Sequence, residues 1–86
     1  MTCRIERLVS EEDGVVLRVS GRIRAEHVDI LRDLFGREKG RVAIDLNDVL
    51  LVAREAVKFL ALSEANGTEL RNCTSYLRGW VDRERP

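Results

Sequence analysis

Polar and apolar residues alternate along the first part of the chain with the two-residue period of a β-strand. The alternation from residue 2 to residue 9 carries several charges and predicts a short edge strand. A polar cluster at 10–14 ends in a glycine. The aliphatic alternation that follows at 15–20 predicts a second strand, which Gly21 is expected to close. The two strands are therefore predicted to form a hairpin.

From Ala25 onward the apolar residues recur at the period of an α-helix instead. Val28 and Leu31 belong to an apolar stripe that ends near Gly36, and this stripe predicts a first helix. A second helix is predicted over residues 53–65, which are rich in alanine and contain neither glycine nor proline.

Two shorter segments complete the pattern. Residues 42–46 are too few for a helix and are rich in aliphatic side chains, so a buried strand is predicted there, ended by the polar pair at 47–48. Another short strand is predicted at 68–71. Thr74 or Ser75 is then expected to cap a last helix.

The predicted order of elements is β-β-α-β-α-β-α. This order indicates a single α/β domain over residues 1–86, with a small mixed sheet of about four strands covered by about three helices. The first two strands are expected to be antiparallel, and right-handed crossovers are expected to join the later strands.

Charge and hydropathy exclude several classes of function. Fifteen basic residues balance fifteen acidic ones, so the chain lacks the basic field that attracts nucleic acids or anionic membranes. The longest apolar run, at 49–53, is five residues long, whereas a membrane-spanning helix needs about 20. The first residues also lack the apolar stretch of a secretory signal. A cytoplasmic protein that binds neither nucleic acid nor membrane is expected.

Few residues offer catalytic or metal-binding chemistry. Cys3 and Cys73 match no zinc-ligand spacing and His27 is the only histidine, so no metal and no cofactor are expected. The two cysteines are expected to be small buried residues, although a disulfide between them stays geometrically open. His27 is expected on the surface with no nucleophile beside it, and the chain is predicted not to be an enzyme.

Tyr76 and Trp80 lie four residues apart on the last predicted helix. Residues at this spacing are neighbours on a helix, so the two rings could stack on each other or on a ligand. The preferred interpretation is that Trp80 packs this helix onto the sheet.

Three segments carry a resemblance to a known family: VLRVSGRI at 16–23, VAIDLNDV at 42–49 and GTELR at 67–71. In order and spacing they resemble the STAS domain, the fold of bacterial anti-sigma factor antagonists and of the cytoplasmic tail of sulfate transporters. The resemblance implies a protein-interaction module in signalling. Its partner would be a regulatory protein such as an anti-sigma factor or a related ATPase or kinase.

The chain departs from this family at its phosphorylation motif. In phosphorylated members the loop after the central strand continues into Asp-Ser-Ser-Gly, and the first serine accepts the phosphate. The four matching positions here are Ala53, Arg54, Glu55 and Ala56. Arg54 occupies the acceptor position and has no hydroxyl for attack on a γ-phosphate, so no phosphorylation is expected there. Constitutive binding, or control by abundance, would replace it.

The second predicted helix offers a candidate docking face. A step of about 100° per residue places Ala53, Ala56, Val57, Phe59 and Leu60 toward the sheet. The opposite arc would carry a leucine between two alanines, edged by charges, and such a surface suits a protein partner. The predicted partner-binding residues are Asp48, Arg54, Glu55, Lys58, Ala61, Leu62 and Ala65.

Two other functions stay open. The first is a sensor that holds a small ligand at the loop after the central strand, with Arg54 as the contact for an anion, because ligands of open α/β sheets collect at the carboxyl ends of strands. The second is self-association of the docking face into a homodimer. An exposed Leu62 favours a protein partner, whereas a concave pocket lined by Arg54 would favour the sensor.

Overall fold

A computed structural model describes residues 3–12, 14–38 and 40–85 of the chain. Thr2, where the first strand is predicted to begin, and Asp13, in the predicted turn, lie outside these described residues. Within them the predicted order of elements is confirmed. The elements are β1 (Cys3–Ser10), β2 (Gly14–Ile23), α1 (Ala25–Arg37), β3 (Val42–Val52), α2 (Arg54–Ala65), β4 (Glu69–Arg71) and α3 (Ser75–Glu84).

The strands form a mixed sheet, as the order of elements predicts. Across the described residues the sheet has four strands in the order β1-β2-β3-β4. β1 and β2 are antiparallel, because a turn of a few residues joins them. β3 is parallel to both β2 and β4, and a helix provides each of these connections.

The predicted C-terminal ends of β2 and β3, the two long central strands, are both wrong. β2 does not close at Gly21 but continues to Ile23, because Gly21 pairs with strands on both sides. β3 does not end at Asn47 and Asp48 but continues to Val52. The two polar residues stay within the strand because their side chains are exposed at an irregularity of the pairing, so no polar group is buried by the extension.

The irregularity consists of two bulges in β3. Between Arg18 and Ser20, β2 advances by two residues, while β3 advances by three, from Asp45 to Asp48. A second extra residue, Leu50, follows shortly afterwards. Each extra residue changes which side chains face which side of the sheet.

All three helices pack on one face of the sheet. One hydrophobic core joins side chains of β2 and β3 with side chains of each helix. Its largest fully buried side chains are Val19, Ile23, Leu31, Ile44, Leu46, Val57, Leu60 and Val81. Trp80 packs against this core, as predicted, and thereby helps to hold α3 on the sheet.

A partly buried ion pair joins α2 to α3. The Arg78 guanidinium donates to both carboxylate oxygens of Glu64, with an Nη1 to Oε2 distance of 2.7 Å, and also to Oδ1 of Asp82 at 2.7 Å. The hydrogen bond from Arg78 lowers the pKa of Glu64. Because two hydrogen bonds meet one carboxylate, the pair fixes how the two helices sit against each other.

Two predictions about single polar residues have different outcomes. Thr74 caps α3, since its Oγ1 accepts a hydrogen bond from the Leu77 N–H at 3.3 Å. His27 is not fully solvated: it is half-buried, and its Nδ1 accepts the Arg24 N–H at 2.9 Å, which satisfies a backbone donor at the start of α1.

The cysteines do not form a disulfide. Cys3 and Cys73 are both free and half-buried. Burial raises the pKa of each thiol, which disfavours the reactive thiolate. They pack beside the core, as small hydrophobic residues do.

We predict opposite effects for alanine at two glycines. Gly14 has a φ of +78°, and a Cβ there would meet the carbonyl oxygen of Arg41, which accepts the Val15 N–H. Gly14→Ala should therefore lower the free energy of unfolding by more than about 1 kcal/mol. Gly79 lies inside α3 with room for a Cβ, so Gly79→Ala should raise it by up to about 1 kcal/mol. Urea denaturation measures both, and changes of the same sign would contradict the account.

Candidate functional site

The outer side of α2 carries most of the predicted partner-binding residues. Leu62 is 53% exposed. Around it the exposed residues of α2 are Arg54, Glu55, Lys58 and Ala65. The three charged residues lie on the N-terminal side of Leu62, and an apolar side chain bordered by charges is a small version of the core and rim of a protein interface. The structure thus brings these five residues onto one helix surface.

Ala61 does not belong to this surface, contrary to the prediction. It is only 1% exposed and lies in the hydrophobic core. The helical spacing assigned a single buried face, but α2 contacts α1 on one side and α3 on the other. The buried arc is therefore wider than contact with the sheet alone would make it.

Asp48 lies apart from the other predicted site residues. It pairs with Ser20, whose neighbours Val19 and Gly21 are on the opposite, helix-facing side of β2. Asp48 is therefore on the open face of the sheet, while Leu62 projects from a helix on the other face. Its Oδ1 accepts a hydrogen bond from Asn47 Nδ2 at 3.1 Å.

No loop separates β3 from α2. β3 ends at Val52, α2 begins at Arg54, and the N–H of the intervening Ala53 donates to the Ile23 carbonyl at 2.7 Å. The predicted ligand-holding loop is therefore absent. Arg54 is exposed and lies near the Glu84 carboxylate, with an Nε to Oε2 distance of 3.9 Å.

An open cavity of about 290 Å³ lies beside this junction. Arg22 at the end of β2 and Arg24 at the start of α1 contribute to it, and Arg54 does not. Its lining residues are Arg22, Ile23, Arg24, Leu51, Val52 and Ala53. This cavity therefore does not include the arginine that the sensor hypothesis names as the contact for an anion.

Opposite charges alternate across the open face of the sheet. The strand register places Glu6 beside Arg18, Arg18 beside Asp45, and Asp45 beside Arg71. Arg18 Nε lies 3.9 Å from Asp45 Oδ2. Sequence reasoning missed this row because the four residues come from four different strands, and only the register brings them together.

Asp45 is the best-connected carboxylate of that row. Its Oδ1 accepts the Asn47 N–H at 2.9 Å and Asn72 Nδ2 at 3.1 Å. These hydrogen bonds, with the nearby Arg18 and Arg71 charges, lower the pKa of the Asp45 carboxyl despite its partial burial. The carboxylate therefore stabilises the folded state as long as it is ionised.

Sequence reasoning also missed an apolar groove between β3 and α3. It forms a cavity of about 90 Å³. Its lining residues are Leu46, Val49, Leu50, Leu51, Val52, Thr74, Tyr76, Leu77 and Trp80. Leu50, Leu51 and Tyr76 are exposed. The Tyr76 and Trp80 rings are neighbours, with centroids 6.3 Å apart. The apolar run at 49–53 supplies four of these residues, but its length bears only on membrane spanning, and the sequence does not reveal that α3 packs beside it.

Among residues 3–12, 14–38 and 40–85, no group of three or more His, Cys, Asp or Glu side chains is placed to hold a metal ion. None of the helices they form is long and apolar enough to cross a membrane.

The fold is similar to that of a protein whose structure has been solved. The crystal structure of an anti-sigma factor antagonist STAS domain from Rhodobacter sphaeroides matches with a TM-score of 0.59, over 99% of this chain and 97% of that chain, at 17% sequence identity. No family model matches the sequence. No curated protein matches it either. The likeness shows that the chain has the fold of a STAS domain.

We predict that Asp45 contributes to the pH dependence of stability. Because folding lowers the pKa of Asp45, its contribution should be complete above the unfolded pKa of about 4 and should be lost as the pH falls through the folded pKa. Asp45→Asn should reduce the free energy of unfolding at neutral pH by about 1 to 2 kcal/mol and flatten its decline in acid. Urea denaturation across a pH series measures both effects.

Asp29→Asn is the matched control for this measurement. Asp29 is a largely exposed carboxylate whose partner is Arg32 on the same helix. Its substitution should change the stability by less than about 0.5 kcal/mol. An equal effect of the two substitutions would contradict the role given to Asp45.

Proposed function

We propose that this chain is a non-enzymatic, cytoplasmic regulatory module, one domain over residues 1–86, that binds a signalling protein through the outer face of α2. The partner class we propose is an anti-sigma factor or a related ATPase or kinase. The STAS fold supports a regulatory module, since the similar Rhodobacter protein is described as an anti-sigma factor antagonist. The observation that carries the proposal is the exposed Leu62 on a helix whose other large apolar residues are buried.

The surface has the chemistry of a small docking site. Leu62 would enter an apolar pocket of the partner, where burial of an exposed leucine contributes about 1.5 to 3 kcal/mol. Lys58, Arg54 and Glu55 border it on the N-terminal side of the helix with both signs of charge, which favours a partner with complementary charges there. Ala65 adds a small side chain that leaves the approach to Leu62 open.

The proposed binding is not switched by phosphate at the start of α2. Arg54 stands at the position of the family's acceptor serine and offers no hydroxyl. Its guanidinium lies beside the Glu84 carboxylate at the end of α3. Glu55 follows one residue later in the helix, about 100° around its axis, and therefore does not replace a phosphate on residue 54. We propose that abundance controls the interaction.

Leu62→Asp should abolish partner binding. A charge placed in an apolar interface is not compensated, so recovery of the partner from native cell lysate should fall by at least about tenfold. The captured protein is then purified and titrated against the intact chain and the variant. The expected partner is a regulatory ATPase, kinase or anti-sigma factor that binds only the intact chain.

Ile30→Asp is the matched control on a different helix. Ile30 is 51% exposed on α1, close to the 53% of Leu62, so both substitutions place an aspartate at an equally exposed apolar position. Ile30→Asp should leave binding within about twofold of the intact chain. Circular dichroism checks that all three proteins are folded. If both variants bind like the intact chain, α2 is not the docking face.

A further inference from the structure

Half of β3 has a free edge. β4 pairs with β3 only at residues 43–45. Along residues 46–52, the described part of the chain places a strand beside β3 on the β2 side only. The backbone groups that point away from β2 there have no strand partner, and such an edge is a template for another strand.

The opposite edge of the sheet is protected, in contrast. β1 carries Arg4, Glu6 and Arg7 along its length, and Arg7 Nε is held by Glu38 at 2.8 Å. Charged side chains on an edge strand oppose pairing with another chain. The free edge of β3 has four consecutive apolar residues at 49–52, and Asp48 is its one charged residue. It is therefore the less protected edge of this sheet.

The free edge also lies beside the apolar groove. Leu50, in the second bulge, is 74% exposed. Leu51 and Tyr76 are exposed as well, and all three line the groove. Exposed apolar side chains that gather at an unpaired strand are typical of an interface.

Charges beside this edge complement a second copy of the same chain. Asp48 and Arg22 both lie on the open face, where they pair in register with Ser20 and Leu51. Neither side chain forms an ion pair with any described residue. In an antiparallel pairing of two β3 strands about the bulge at Val49 and Leu50, Asp48 lies opposite Leu51 of the second copy, which is also on the open face, and Arg22 of that copy, the β2 partner of its Leu51, is one strand further on. An arginine side chain can span that distance, and the two-fold symmetry forms the contact twice.

We infer that the chain forms a homodimer by antiparallel pairing of the free β3 edges, centred on the bulge at Val49 and Leu50. The pairing joins two four-stranded sheets into one and covers Leu50 and Tyr76 of both copies. The net charge of zero means that no overall repulsion opposes it. This interface does not include the outer face of α2, so the inference does not rest on the proposed function.

Sedimentation equilibrium over about a hundredfold range of protein concentration tests the inference. The intact chain should show a monomer and dimer equilibrium. Leu50→Asp should raise its Kd by at least about tenfold, because the two aspartates would lie close together beside the two-fold axis. Leu62→Asp should change the Kd by less than about twofold, which distinguishes this interface from self-association through α2.

Reversal of the charges tests the register. Asp48→Arg and Arg22→Asp should each weaken the dimer, because each places like charges across the axis. The double variant should return the Kd to within about threefold of the intact chain. Such a rescue cannot come from misfolding, and circular dichroism of every variant confirms that the fold is retained.

The emission of Trp80, the only tryptophan, provides a second measurement because this ring lines the groove. It should shift with protein concentration in the intact chain and not in Leu50→Asp. The inference is overturned if the intact chain is monomeric over the whole range or if Leu50→Asp dimerises as well as the intact chain. Loss of the dimer in Leu62→Asp, or failure of the double variant to restore it, also overturns the inference.

Discussion

The parallel pairing of β2 with β3 is the constraint on which the rest of the structure depends. It places Ile44 beside Leu17 and thereby builds the apolar face on which the three helices pack. β3 supplies more residues than β2 over the paired length, so it must bulge. After the bulges Val49 and Val52 still pack against the core, whereas Asp48 and Leu51 lie on the open face. Which side chains of the last third of β3 face the core and which face the open side therefore follows from the number of residues that β3 has between positions paired with β2.

The way in which β4 ends explains why the edge of β3 is left open along 46–52. Asp45, on the open face, accepts a hydrogen bond from Asn72, the residue directly after β4. Asn72 has a φ of +55°, a left-handed conformation that asparagine tolerates better than most residues. The chain turns away from β3 at this point, and Thr74 then caps α3, which begins at Ser75. A strand of three residues is thus followed by a helix on the core, and nothing in the described chain extends the sheet along 46–52.

The sequence predicts the elements well because periodicity is a local property. It predicts less of the surface, because the exposure of a side chain depends on how distant elements pack. The helical period identified α2 and placed Leu62 outside, but it could not reveal that α1 and α3 both contact α2 and bury Ala61. Gly21 and Asp48 favour strand ends as local signals, yet pairing with neighbours overrides them. The groove beside Leu50 depends on where α3 packs, which no pattern within β3 encodes.

The two proposed surfaces are compatible because the sheet separates their key residues. Asp48 faces the open side, and Leu62 projects on the helix side. A two-fold axis through paired β3 edges runs perpendicular to the sheet and preserves its two sides. Both copies would therefore present α2 on the same side of one continuous sheet. A partner that is itself dimeric could then contact two Leu62 side chains at once, and the second contact would form at the high effective concentration set by the first. Self-association would in this way strengthen partner binding without any residue shared between the two interfaces.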